Sequence, residues 1–370
     1  MMKPIRFIAV LLLIFPLSAG AQTFSGILDS KLTLGAGAGN ASDFLYGFEE
    51  YANIRMQAKV KDRGAFYGAL NLIAASGASS QGSMDAGENY AAYIELERLY
   101  FRLNGESVGL DAGLMRLPFG YGQAWGSSDF LNPRSPLSTT ARPRAILGAA
   151  CSLYPADSAK LLVFTASPRN PFEQDGGGLI AGLSAENHWG RASLQALYAY
   201  ETPVLSSSGI HRWGLSVKAD LIVGLVADAL YAWNPNAAAG IDGLSAGAGF
   251  DYSFLDGDCY VLTEYLYNGS DSSTASGIFA LQQQNYLYAL FRYRFNDYTS
   301  ASLACAAALD DLSFSPTLSM DYEIFQGMSL SISAQVPLDK AVLADSSPGE
   351  LGPERTGTRL LVTALVRLRF

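Results

Sequence analysis

The chain has almost nothing with which to build a helical membrane span, a cysteine metal set or a histidine-based catalytic site. After Gln22 no uninterrupted apolar run reaches the roughly 18 residues that a transmembrane helix needs. Long segments with a 3.6-residue apolar period and helix caps are also missing. Only two histidines are present, His188 and His211. The three cysteines, Cys151, Cys259 and Cys305, are odd in number and scattered, with no C-x-x-C pair. That excludes a disulfide framework and a cysteine metal set, and leaves them as small apolar residues. Charge is sparse, at 16% of 370 residues, and the formal net charge of −9 argues against a nucleic-acid partner.

What is present is apolar and aromatic. Hydrophobic residues make up 49% and aromatics 12%, too much for a disordered chain. The first residues carry an export pattern: Lys3 and Arg6, then the apolar stretch Phe7 to Leu17, then Ala19-Gly20-Ala21. The expectation is a signal peptide over 1–21 and a single domain over 22–370. The residue directly after the expected cleavage site is Gln22 and not cysteine, so a lipoprotein is not expected.

Beyond that leader the period is two almost everywhere. Asn53, Arg55, Gln57 and Lys59 alternate with Ala52, Ile54, Met56 and Ala58. Ser315, Thr317, Ser319 and Asp321 alternate with Phe314, Pro316, Leu318 and Met320. Each run is a strand with one apolar and one polar face. The runs are about 9–13 residues long, the length of a tilted strand that crosses a bilayer. A soluble sandwich uses strands of about 5–6 residues.

Connections alternate between short turns, such as Asp62-Arg63-Gly64 and Phe325-Gln326-Gly327, and longer loops rich in Gly, Ser, Asn and Pro. The pattern predicts an all-β fold, a transmembrane antiparallel β-barrel of about 18 strands, with 16 if the weakly patterned pair over 159–187 is misread. An even number puts both ends of the barrel on the short-turn side. Closure removes the sheet edges and satisfies every backbone group within hydrocarbon.

One strand breaks its parity. In YAAYIELERLYFRLNG, Ile94 and Leu96 share one face, but Leu99, Phe101 and Leu103 share the other. A bulge near Glu97-Arg98 reconciles them and sets both charges toward the lumen. A register slip is the alternative.

The last strand, TRLLVTALVRLRF, presents Leu360, Val362, Ala364, Val366 and Leu368 on one face and ends on Phe370. Such an ending resembles the assembly signal of Gram-negative outer-membrane β-barrels. The resemblance implies a cell outer-membrane location after export, with outer-membrane lipids and the barrel-assembly machinery as partners.

The polar parity, assigned to the lumen, holds more basic than acidic side chains, among them Arg55, Arg98, Arg212 and Arg292, together with Glu264. The most distinctive connection is RLPFGYGQAWGSSDFLNPRSPLSTTARPR, Arg116 to Arg144, with four Pro, four aromatics and four Arg. Its Trp125-Gly126, Asp129 and Asn132-Pro133 resemble loops of outer-membrane porin-like families that carry W-G…D…N-P. General porins fold their third outer loop into the lumen. The resemblance therefore implies that Arg116, Asp129, Arg134 and Arg142 line a constriction. An exposed, packed cap is the other reading.

Together these features predict a passive porin-like channel for small polar solutes or ions, with weak anion preference. The rival is an adhesin or structural barrel with a sealed lumen. Catalysis, a cofactor and a metal are not expected: His188 falls in a short turn, and His211 points to lipid with no matching serine. A porin-like chain can assemble as a homotrimer, although no trimer face is legible here.

Overall fold

Period two in the sequence becomes 18 paired strands in the computed structural model, closed on themselves. The structure describes residues 20–38, 44–60, 62–77, 90–133, 136, 145–167, 178–203, 208–236, 243–269, 281–340 and 348–370. The export segment thus lies outside the described residues except at its end, where the first strand begins.

The strands are β1 (Gly20–Gly37), β2 (Phe44–Val60), β3 (Gly64–Gly77), β4 (Tyr90–Asn104), β5 (Val108–Met115), β6 (Ile146–Ala156), β7 (Ala159–Ser167), β8 (Ile180–Trp189) and β9 (Ala192–Glu201). They continue as β10 (Ile210–Asp220), β11 (Gly224–Trp233), β12 (Leu244–Phe254), β13 (Cys259–Asn268), β14 (Asn285–Asn296), β15 (Thr299–Ala308), β16 (Ser313–Phe325), β17 (Met328–Gln335) and β18 (Thr358–Arg369). Among the described residues one short helix, α1 (Pro353–Thr356), precedes β18.

Each strand pairs antiparallel with the next, and β18 pairs with β1. No edge is left for another chain to extend, and the ladder bonds are made within the ring. The seam is fixed by chemistry as well as by register. Asp29 and Arg367 are cross-strand partners, and the guanidinium gives that carboxylate two hydrogen bonds of 2.7 and 2.8 Å.

Alternation sorts the side chains. Leu28, Leu32 and Leu34 of β1 and Leu318, Met320 and Tyr322 of β16 are exposed on the outer face. Their neighbours Asp29, Thr33, Ser313 and Ser315 are buried toward the interior. Trp189 is exposed at the short-turn end, and Trp213 and Trp233 toward the long-loop end, as two aromatic girdles require. All three cysteines are free.

The parity break in β4 is a bulge. Ala69 faces Arg98 and Leu70 faces Leu96, so Glu97 is the extra residue. Two successive charges consequently point inward, and Arg98 lies 3.1 Å from the Glu97 carboxylate. The pair over 159–187 forms two regular strands, which makes the count 18 and not 16. Some boundaries differ from the sequence reading: Gly64 begins β3, Phe325 ends β16, and His188 and Trp189 belong to β8, with the turn beginning at Gly190.

Candidate channel constriction

After Met115 residues 116–133 do not follow the rim. They turn into the barrel and lie against the inner wall. Two kinds of contact hold them there.

The first is a row of backbone hydrogen bonds. Five successive N–H groups each donate to a wall side chain. Gly120 donates to Gln195 on β9 (2.7 Å), and Tyr121 and Gly122 to Asp228 on β11 (3.1 and 2.6 Å). Gln123 and Ala124 donate to Glu264 on β13, the former at 3.2 Å. Bonds to a carboxylate are worth about 1.5–3 kcal/mol each, more than neutral ones. The backbone must come very close to make them. A Cβ at Gly122 would stand 2.7 Å from the Glu264 carboxylate and 2.8 Å from that of Asp228. Gly120 has φ +78°, a region that side chains other than glycine seldom adopt. The G-Y-G spacing is therefore a local requirement of the staple.

The second contact is apolar. Leu117, Phe119 and Leu131 of the loop are buried against Ile146, Phe164, Ile180, Leu197 and Leu230 of β6–β11. Phe119 stacks on Phe130 (5.9 Å, 9°) and packs on Phe164 (5.2 Å). Its base is closed by Leu117 N–H donating to the Asn132 side chain (2.9 Å). Ser127 and Ser128 reach the wall at Asp228 O (3.1 Å) and Ser216 (3.0 Å).

The loop's side chains then turn toward the short-turn end. The Tyr121 hydroxyl donates to Glu186 at 2.7 Å; burial and that carboxylate hold the phenol above its ordinary pKa. Gln123 donates to Asp251 (3.1 Å) and accepts from Tyr260 (2.9 Å).

The opposite wall is built differently. Around β2–β4 the buried Glu97 carboxylate accepts from Asn53 (2.5 Å), Arg98 (3.1 Å) and Arg116 (2.8 Å). Burial and the neighbouring Arg98 charge lower the Arg116 guanidinium, with Glu97 opposing. Arg55 donates to Asn53 (2.5 Å). Other charges there pair across strands: Lys31 with Glu49 (2.9 Å), and Arg102 with Asp111 (2.7 Å). Three guanidiniums therefore share one buried carboxylate's neighbourhood, and Arg55 has no ion pair of its own among the described residues.

The sequence-predicted residues divide accordingly. Arg55, Arg98 and Arg116 come together on the basic wall. Arg292, on the inner face of β14, lies over the Tyr260 ring at 5.3 Å. Three residues do not line open space. Glu264 is covered by the loop that it staples. Arg212 is buried between Glu201 (2.6 Å) and the Phe130 ring (5.1 Å). Asp129 is buried inside the loop, where it accepts from Asn132 N–H (3.1 Å). Glu264 and Arg212 share one reason: an inward-pointing charge on this side of the wall meets the loop before it meets water. Arg134 and Arg142 lie outside the described residues.

The sequence reading places Asp228 among the acidic lumen residues and Glu350 in an outer loop, but it missed Gln195 and the fastening roles of all three. Asp228 and Gln195 have inward parity, but only the loop's path gives them a role. Among the described residues no group of three or more His, Cys, Asp or Glu could hold a metal ion.

No family model matches the sequence, and no curated protein does. Solved structures are similar over nearly the whole chain. The outer-membrane protein OpdK of Pseudomonas aeruginosa is 9% identical with a TM-score of 0.61, covering 95% of this chain and 98% of that one. OccAB2 of Acinetobacter baumannii is 8% identical, TM-score 0.61, over 94% and 98%. OccAB4 of the same organism is 10% identical, TM-score 0.57, over 96% and 99%. At these identities the likeness shows a shared barrel fold.

Proposed function

We propose that the protein is an outer-membrane porin-like channel for small polar solutes or ions, narrowed by the loop that enters its barrel, with a weak preference for anions. The observation that carries this is the row of five successive N–H groups, Gly120 to Ala124, donated to the inner wall. A loop held in this way narrows the lumen from one side and leaves the other side polar. The fold shared with an outer-membrane protein supports the location.

The anion preference follows from where charge remains available. Asp228 and Glu264 are spent on the loop, so they do not face the passage. Arg55 and Arg292 carry no ion pair among the described residues, and Arg98 and Arg116 share one carboxylate. Fixed positive charge on one wall raises local anion concentration. Export through residues 1–21, insertion by the barrel-assembly machinery and assembly as a homotrimer complete the proposal.

The test is the folded protein in a planar bilayer with asymmetric salt. A steady single-channel current with a reversal potential on the anion side is expected. A cation-side potential removes the anion preference. Folded protein that passes no current removes the channel and favours a sealed barrel with a surface role.

A further inference from the structure

Two segments far apart in the chain meet over the tip of the inward loop. Trp125, the residue after the stapled Ala124, has 0% exposure. Its ring lies 5.5 Å from that of Tyr286, at 50°, and packs in one cluster with Leu351. Leu351 belongs to the connection between β17 and β18, more than 200 residues downstream.

That connection is fastened beside the cluster by Glu350. Its carboxylate accepts from Gln282 N–H (2.8 Å), Gln283 N–H (3.1 Å) and the Tyr286 hydroxyl. Its own N–H donates to the Asp311 carboxylate at 2.6 Å. One side chain thus ties the last long connection to the start of β14 and holds the ring that covers Trp125.

We propose that Glu350 is a positioning residue: it locks the cover over Trp125 and thereby keeps the tip of the inward loop in place. Its functional weight rests on the channel reading, because a loop that shifts in the lumen changes the passage. The basic wall sets which ions pass, and the Glu350 cover sets how steadily they pass. Loss of Glu350 leaves the Gln282 N–H and the buried Tyr286 phenol without this acceptor, while the Gln283 N–H keeps the Tyr286 hydroxyl at 2.8 Å, and the cover loosens.

The chain has four tryptophans. Replacing Trp189, Trp213 and Trp233 by Phe leaves Trp125 as the only indole emitter. In that background, folded in vesicles, Glu350→Ala is expected to raise quenching of Trp125 by acrylamide or iodide several-fold. In bilayers it is expected to raise open-channel current noise with the reversal potential unchanged. Glu350→Gln keeps an acceptor oxygen and is expected to stay near the parent. Unchanged quenching in folded Glu350→Ala would overturn the proposal. So would Glu350→Gln behaving like Glu350→Ala. If the folded protein passes no current, the quenching still decides the Glu350 question, and only the channel reading fails.

Discussion

The inner wall of this barrel has two unlike arcs. Along β6–β11 the inward residues include Ile146, Phe164, Ala166, Ile180, Leu197 and Leu230, all buried. Along β16–β18 and β1–β4 they include Thr317, Ser319, Ser331, Ser333, Asn53, Arg55 and Arg98, which are polar. The first arc is a hydrophobic core that happens to lie inside a cylinder, and a loop covers it. The second meets water. The comparison teaches that a barrel lumen need not be polar where the chain itself fills it, and that carboxylates on the covered side fasten the loop to the wall.

The sharpest way to break the difference is to remove both fasteners. Asp228→Ala with Glu264→Ala deletes the acceptors of four loop N–H groups, each bond worth about 1.5–3 kcal/mol. The loop is expected to leave the arc, conductance to rise several-fold, and the bared apolar wall to bind a hydrophobic dye. Next in size is a pair of truncations, one on each arc. Leu230→Ala, in the covered arc, is expected to cost about 2–5 kcal/mol of stability. Ser333→Ala, on the open arc, is expected to stay within about 0.5 kcal/mol. Denaturant midpoints of the two folded variants in micelles would measure both. Equal losses would mean that the two arcs are energetically alike. The smallest effect belongs to the basic wall. Arg55→Ala with Arg98→Ala should leave the fold and conductance near the parent but move the reversal potential toward cations. No movement would mean that the charges there only solvate the wall.

Much of this was legible in the sequence. The alternation in 52–59 and 314–321 gave strands, and the parity switch at Glu97 gave a bulge that the β3–β4 register contains. The covered arc also left a signal, but it read as weakness. Strand β7 is largely apolar on both faces, with Leu162, Phe164 and Ala166 on the inward parity, and the inward parity of β8 begins with Ile180. That loss of contrast is what a covered inner wall requires. Parity alone could not separate Arg55, which faces the lumen, from Arg212, which lies under Phe130. Both point inward, and only the path of a distant loop decides which is covered. Glu350 was hidden for the same reason: its partners at 282–286 are joined to it by the fold, not by any local pattern.

The most direct test of the central claim, that the inward loop narrows an open lumen, is single-channel conductance of the folded protein with and without residues 119–132. The account predicts a steady current in the parent and a larger one after the excision. Equal currents, or none in either folded form, would contradict it.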